Sequence, residues 1–264
     1  MTVYKNDLAD QLKASIDSIV NQKGAECQLL IGVDGYIGEE LSTVLVEYNE
    51  NSNVSVRYFD ENRGLAATLN DLITEVHQKF DYLARMDADD VSIQSRIIEQ
   101  VTYLQKHQNI DVLGTGCIEF NDVNGMGNPD NIIKILPKDH ELLRKAVFTR
   151  SPFVHPSVMF RSSVFIDRDV RYPENLHLSE DLGLWCLMLA KGYKFANIEK
   201  PLIYFRLNTN TIERRRGFKK AFSELKSRFS ILTYRNAYLF SGAILVFLTR
   251  LLPKTILKVI YKFR

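Results

Sequence analysis

The chain has few of the residues that stabilise small secreted proteins. Its three cysteines, Cys27, Cys117 and Cys186, are odd in number, far apart and without metal-type spacing. This pattern argues against a disulfide framework and favours free thiols in a reducing compartment. No segment with the basic, apolar and small-residue regions of a signal peptide opens the chain. We therefore expect a protein that is not secreted.

No apolar run is long enough to suggest a membrane-spanning helix. The apolar stretch 237–249 has 13 residues between Arg235 and Arg250, whereas a spanning helix needs about 20. Its basic flanks and bulky apolar side chains are typical of a helix that lies in the membrane interface. A helix that docks on its own domain or on a partner chain has the same pattern.

The net charge of +2 conceals a strong asymmetry. Residues 213–264 hold 13 Lys/Arg and 2 Asp/Glu, whereas residues 1–212 hold 21 and 30. A basic tail predicts an anionic partner, most often membrane lipid or nucleic acid. We expect the membrane surface and no nucleic acid, because the aromatic residues of a dedicated nucleic-acid surface do not interleave with these charges.

The first 115 residues alternate between strand and helix patterns. Apolar stripes with the helical period separate short apolar strands, in the order β-α-β-α-β-α-β, which predicts an α/β fold with a parallel sheet. Three strand ends carry polar residues: Asp34, then Asn62 with Arg63, then the segment 87–90. Ligands of such sheets bind at the carboxyl ends of the strands. We expect a nucleotide-sized site there.

The most informative segment is the apolar strand that ends in Asp87-Ala88-Asp89-Asp90. Clustered carboxylates at the end of a buried strand are unfavourable unless a cation accompanies them. A hard divalent cation takes oxygen ligands and often bridges carboxylates to substrate phosphates. Asp90 has a second interpretation, because it could cap the helix expected from about residue 93.

Taken together, the motifs resemble glycosyltransferase family 2, whose members have the GT-A fold. Any one motif is weak, but they recur in the family's order between residues 2 and 185. The tail from Arg250 to Lys262 is similar to that of members that build bacterial O-antigen or capsule repeat units. The matching segments are Thr2–Asp7, Val33–Gly35, Asn62–Leu65 with Leu69-Asn70, Arg85–Asp90, His155–Ser157, and Glu180-Asp181 with Leu184-Trp185.

The resemblance implies a Rossmann-like GT-A domain over residues 1–212 and a basic, amphipathic helical tail over 213–264. Residues 1–115 would bind the nucleotide sugar and residues 116–212 the acceptor. The implied reaction is inverting and metal-dependent. A hexose (Glc, Gal or an N-acetyl form) would move from a UDP-sugar to a hydroxyl of a polyprenyl-diphosphate-linked saccharide. The implied location is the cytoplasmic face of a bacterial inner membrane, in O-antigen or capsule synthesis.

The resemblance also assigns the donor-binding residues. Thr2, Tyr4 and Asp34 would contact the uracil or its ribose, Arg63 would pair with the base or the phosphates, and Asp87 would hold the ribose. Asp34 also precedes Gly35 as a turn-forming aspartate does, and Arg63 also fits an exposed loop arginine. The first strand is short for the family, which predicts an unusually short strand or a start further upstream.

The resemblance also assigns the metal-binding residue and the residues on the acceptor side. Asp89 would hold Mn²⁺ or Mg²⁺ between the α- and β-phosphates, and Asp181 would be the general base. Glu180 would position the acceptor or Asp181, although acids that open a helix are often only caps. His155 would line the acceptor side, or it is a structural histidine.

Two other functions compete with this one. A sugar-nucleotide nucleotidyltransferase would normally carry a Gly-rich phosphate loop and a signature lysine near its start, and the sequence has neither. A non-catalytic membrane-binding module that shares the fold would have no reason to keep Asp87, Asp89 and Asp181.

Overall fold

A computed structural model describes most of the chain. It covers residues 1–123, 125–166, 170–176, 178–207, 217–232 and 237–252. The last part of the expected tail, 253–264, lies outside these ranges, as does the segment 208–216.

Three parallel strands form the first sheet, in the order β1-β2-β3. Their helices place apolar stripes on it, and Leu12, Ile16 and Leu45 are fully buried. The first strand has two residues. The elements are β1 (Thr2–Val3), α1 (Ala9–Val20), β2 (Leu29–Asp34), α2 (Glu39–Glu47), β3 (Val54–Phe59) and α3 (Leu65–Val76).

The second sheet is mixed and has the order β4-β8-β6-β9-β5, with β7 paired to β6. Strand β6 runs parallel to β9 and antiparallel to β7 and β8. Strands β4 and β5 pair antiparallel with β8 and β9. The strands are β4 (Tyr82–Ala84), β5 (Val91–Ser92), β6 (Val112–Phe120), β7 (Ile132–Lys134), β8 (Met159–Arg161) and β9 (Phe195–Arg206).

The expectation of one parallel sheet through residue 115 is therefore wrong in part. Strand β8 lies between β4 and β6, and its Phe160 is opposite both Leu83 and Val112. The strand that pairs with β6, β8, lies more than forty residues further along the chain. Apolar periodicity does not reveal such a long-range pairing. The parallel, Rossmann-like part is the first sheet.

An aromatic core supports the second sheet. Trp185 is fully buried and stacks on Phe160, with its edge toward Phe153 and Phe195. Trp185 is therefore a packing residue of its helix, as its apolar neighbours indicate. The remaining helices of the main body are α4 (Arg96–Lys106), α5 (His140–Ala146) and α6 (Glu180–Ala190).

Two helices of the tail pack against this body. They are α7 (Phe218–Phe229) and α8 (Phe240–Arg250). Ala243 of α8 is buried in one cluster with Leu182 and Cys186 of α6. One side of the apolar stretch thus docks on the chain's own domain. No helix in the described ranges is long and apolar enough to cross a membrane.

Candidate active site

Three carboxylates gather just beyond β4. Ligand oxygens of Asp87, Asp89 and Asp90 all lie within 4.8 Å of one another. Burial, and then the charge of Asp87, raises the pKa of Asp89 to about 6. Burial and then the charges of Asp87 and Asp89 raise the pKa of Asp90 well above its ordinary value. The cluster thus concentrates negative charge that its surroundings do not fully compensate.

Two arginines hold this cluster. Buried Arg85 forms an ion pair with Asp87. Arg206, at the end of β9, donates through Nε to the Asp89 carbonyl oxygen at 2.7 Å, and its backbone N–H donates to Asp90 Oδ1 at 2.8 Å. Asp90 therefore anchors β9 and does not cap α4, whose N-cap residue is Ser95. In the sequence, Arg206 is recognisable as a cationic residue at the end of an apolar strand.

The cluster fits a divalent cation. It offers hard oxygen ligands, which Mg²⁺ and Mn²⁺ prefer. Asp90 Oδ2 is buried and has no hydrogen-bond partner in the described part of the chain. A buried acceptor without a partner is rare in native proteins, and a bound cation would satisfy it.

Asp34 organises the loop after β3. Its carboxylate accepts hydrogen bonds from the backbone N–H groups of Arg63 at 2.8 Å and Gly64 at 2.9 Å. Gly35 follows with φ +80°, where an added Cβ would lie 2.6 Å from the Asn62 nitrogen. The turn-forming role of Asp34 is therefore present in the structure, and its contact with a base stays a prediction.

The other expected donor residues lie at the first sheet. Thr2 pairs with Gly32 across β1 and β2, and the Tyr4 backbone N–H donates to Asp7 Oδ2 at 2.9 Å. Arg63 pairs with exposed Asp71 and stacks over Phe59 at 4.9 Å. The donor contacts of Thr2, Tyr4 and Arg63 stay predictions.

The candidate base lies in the first turn of α6. Glu180 and Asp181 follow the N-cap residue Ser179. Burial raises the pKa of Asp181, whereas Lys220 and the backbone N–H of Leu182 lower it. Burial and then Asp181 also raise the pKa of Glu180. An aspartate with a raised pKa is a better proton acceptor than an ordinary aspartate, which suits it to general-base catalysis.

Half-buried His155 and buried Tyr172 form a pair. His155 Nε2 and the Tyr172 hydroxyl lie 2.9 Å apart, and burial holds the pKa of His155 well below its ordinary value. Asn70 fixes this tyrosine, since its side chain donates to the Tyr172 carbonyl at 2.9 Å and accepts from its N–H at 2.8 Å. Sequence reasoning missed Tyr172. A buried asparagine on an otherwise apolar helix face was the available signal.

Arg85 connects the carboxylate cluster to the candidate base. It is 5% exposed, and its positive charge acts on the pKa values of Asp89, Asp181 and Tyr172 alike. The charges of Asp87 and Asp181 both act on the Tyr172 hydroxyl. The residues expected to bind metal and the residue expected to take a proton thus both lie within electrostatic range of Arg85 and Tyr172.

A parallel Rossmann-like sheet and clustered carboxylates beyond a neighbouring strand are features of glycosyltransferases. The model of the family described as Glycosyl transferase family 2 matches residues 1–169. The chain belongs to this family, and it is a glycosyltransferase with the GT-A fold.

Curated relatives match over nearly the whole chain. An uncharacterised glycosyltransferase of Haemophilus influenzae is 29% identical over 99% of this chain and 96% of its own. The UDP-Gal:alpha-D-GlcNAc-diphosphoundecaprenol beta-1,3-galactosyltransferase of Escherichia coli is 30% identical over 99% and 94%. The O-antigen biosynthesis glycosyltransferase WbnJ of Escherichia coli is 28% identical over 81% and 80%.

Solved structures support the fold. Residues 1–349 of Staphylococcus aureus TarS, in complex with UDP-GlcNAc, give a TM-score of 0.63 at 14% identity, over 95% of this chain and 81% of that one. The mannosyltransferase PcManGT of Pyrobaculum calidifontis, with GDP-Man and Mn²⁺, gives 0.62 at 12% identity, over 99% and 78%. The family match confirms the predicted class, a glycosyltransferase. It does not support the two competing functions, a nucleotidyltransferase and a non-catalytic module.

Proposed function

We propose that the protein transfers a hexose from a UDP-sugar to a polyprenyl-diphosphate-linked saccharide, with inversion and with a divalent metal. The observation that carries this proposal is the cluster of Asp87, Asp89 and Asp90, with Asp181 within electrostatic range of the same Arg85. The similarity to a transferase named for UDP-Gal and a diphosphoundecaprenol acceptor supports the substrate class.

The reaction is a single displacement. Asp181 takes the proton of the acceptor hydroxyl, and the acceptor oxygen forms a bond to the anomeric carbon. The bond from that carbon to the β-phosphate oxygen breaks, and UDP leaves with the bonding electrons. General-base help of this kind contributes about 10²–10⁴-fold.

The remaining residues bind and orient the substrates. Asp87 holds the ribose, and Thr2, Tyr4, Asp34 and Arg63 face the base or the phosphates. Asp89, with Asp90 beside it, would hold Mn²⁺ or Mg²⁺, which when bound stabilises negative charge on the departing diphosphate.

Glu180 and His155 belong to the acceptor side in this proposal. Glu180 orients the hydroxyl toward Asp181. His155, neutral and hydrogen-bonded to Tyr172, lines the space for the acceptor sugar without binding metal.

The direct test is UDP release from a panel of UDP-sugars, with Mn²⁺, Mg²⁺ or EDTA and a synthetic lipid-diphosphate GlcNAc or GalNAc acceptor. Metal-dependent turnover of one donor is the expected result and names the sugar. Asp89→Ala should lose metal-stimulated UDP binding, whereas exposed Glu26→Gln should keep it. Metal-independent turnover, or no UDP binding by the unchanged protein, contradicts the proposal.

We also propose that α7 and α8 attach the protein to the cytoplasmic face of a bacterial inner membrane. Phe218, Phe222 and Phe229 of α7 are 55–64% exposed. Phe218 and Phe229 contact Phe247 and Phe240 of α8 edge to face, so the two helices share one surface.

The α8 part of this surface is also apolar. Ile244, Leu245 and Leu248 are 47–63% exposed, although Ala243 and Val246 of the same helix are buried. Exposed apolar patches mark interaction sites, and the lysines and arginines of the tail favour anionic lipid. An anionic bilayer is therefore the partner we propose for this face.

Sedimentation with vesicles of phosphatidylglycerol and phosphatidylcholine tests this attachment. Leu245→Glu with Leu248→Glu should abolish sedimentation, because two charges would enter the bilayer interface. Ile132→Glu with Ile133→Glu is the matched control, since these side chains on β7 are similarly exposed. Equal sedimentation of both double variants contradicts the proposal.

A further inference from the structure

The loop that leads into the candidate base has an unusual backbone. Leu178 has φ +53° and is the only non-glycine residue with positive φ in the described part of the chain. Side chains with a Cβ avoid this left-handed region, and such residues persist only where their surroundings hold them. Ser179, Glu180 and Asp181 follow directly, so the Leu178 backbone sets the direction in which α6 begins.

A lysine from the tail holds this loop. Lys220 of α7 donates a hydrogen bond from Nζ to the Leu178 carbonyl oxygen. The Lys220 side chain is only 14% exposed, and its Nζ lies 3.6 Å from Glu224 Oε1. The largely buried ammonium group donates a hydrogen bond to the carbonyl oxygen of a residue with left-handed backbone conformation. This is a fixed structural contact, which a mobile surface lysine would not make.

Glu224 in turn fixes Lys220. Its carboxylate is shared with Arg228 of α7 at 3.1 Å and Arg250 of α8 at 3.2 Å. Arg228 also donates to the Val147 carbonyl oxygen at 2.8 Å. The ammonium that holds Leu178 is thus tied to both tail helices and to the main body.

The charge of Lys220 also reaches the candidate base. It lowers the pKa of Asp181 against the effect of burial, and it lowers the pKa of Glu180. The other groups that act on Asp181 are Arg85, which lowers its pKa, and Glu224, which raises it. Tyr172 and Glu180 are the remaining titratable neighbours.

We propose that Lys220 is a positioning residue of the transfer reaction, which makes α7 part of the active centre. It holds the Leu178 carbonyl so that Asp181 points toward the acceptor, and its charge favours the ionised form of that base. This inference rests on the proposed role of Asp181. It assigns Lys220 no contact with substrate.

The experiment compares Lys220→Met with Lys220→Arg and Lys219→Met. Lys219 is the matched control because it is the neighbouring lysine and is exposed. Hydrogen–deuterium exchange of amides 178–182 reports on the loop without substrate. The kcat and KM for donor, measured across pH, report on the base.

Lys220→Met should speed exchange of these amides and lower kcat at least tenfold, with donor KM within about twofold. The acidic limb of the pH–rate profile should move to higher pH, because removing a cation raises the pKa of Asp181. Lys220→Arg should restore most of kcat, and Lys219→Met should behave as the unchanged protein.

Unchanged exchange in Lys220→Met overturns the inference, and so does faster exchange with unchanged kcat and pH profile. If the unchanged protein turns over no donor, the proposed function fails, and the exchange experiment still decides whether Lys220 holds the loop. A loss of thermal stability equal in Lys220→Met and Lys220→Arg, with equal loss of kcat, also contradicts the inference.

Discussion

Asp181 has to meet two opposed requirements at the scale of a single side chain. A base must bind a proton well enough to take it from a hydroxyl, and it must be ionised before it does so. Burial serves the first requirement by raising the pKa of Asp181. Lys220, the Leu182 N–H and Arg85 serve the second by lowering it.

Asp181→Asn should lower kcat by about 10²–10⁴-fold, because the amide takes no proton at neutral pH. UDP affinity should stay within about twofold, since the donor residues are elsewhere. UDP release and UDP titration measure the two effects. Glu180→Gln is the comparison, with a smaller loss of kcat, and activity above a few per cent in Asp181→Asn would rule it out as the base.

We expect His155 to contribute to the loss of folding stability at acid pH. Its pKa is depressed in the folded state by burial and then by Arg85, so the unfolded chain binds a proton that the folded chain does not. Stability is therefore complete above the unfolded-state value of about 6.5 and is lost as the pH falls below it.

His155→Gln should reduce the loss of stability between about pH 7 and pH 5, because glutamine does not titrate. Denaturant unfolding at both pH values measures this difference. The control is His107→Gln at an exposed histidine. An identical acid response in both variants would contradict the role given to burial.

At the scale of elements, the contact between β6 and β9 constrains the second sheet most tightly. Gly114 of β6 lies opposite Asn197 of β9. An added Cβ would lie 2.2 Å from Asn197 Oδ1 and 2.6 Å from Phe153 Cδ1. Asn197 has little freedom to move, because its side chain also donates to the carbonyl oxygens of Pro137 and Pro152.

Gly114→Ala should therefore destabilise the fold by about 1–3 kcal/mol through overpacking. The melting temperature and denaturant midpoint measure this loss. Gly127→Ala is the matched control, because nothing lies within 4 Å of its added Cβ and its φ is outside the left-handed region. Equal stability of the two variants would contradict the close approach of β6 and β9.

The elements themselves were largely predictable, because apolar periodicity is local. Helix α4, expected from about residue 93, is Arg96–Lys106, and the carboxylates expected together at Asp87–Asp90 are together. Pairing was not predictable, because β8 and β9 reach β4 and β6 from far along the chain. Tyr172 was missed for the same reason, since only folding brings it to Asn70.

At the scale of the whole molecule, one carboxylate joins the tail to the body. Glu224 is 5% exposed and is shared by Lys220, Arg228 and Arg250. Three cations lower the pKa of Glu224 despite burial. Removing the charge would leave Arg228, which is 2% exposed, without its counter-ion.

Glu224→Gln should cost about 3–5 kcal/mol of stability, as expected when one member of a buried ion pair is lost. Thermal and denaturant unfolding measure the change, and limited proteolysis should then cut the tail first. Glu26→Gln, at an exposed loop position, should change stability by less than about 0.5 kcal/mol. A similarly small effect of Glu224→Gln would show that the tail is held by apolar packing alone.

The backbone bond from Arg206 to Asp90 has a consequence for synthesis on the ribosome. The strands of the first sheet end at Phe59, so they can pair while the rest of the chain is still being translated. The carboxylate at residue 90 receives its partner only after residue 206 has left the exit tunnel. A nascent chain arrested before β9 should therefore carry the Asp90 carboxylate without the backbone N–H group that orients it, and this end of the carboxylate cluster should become ordered only when the last strand is released.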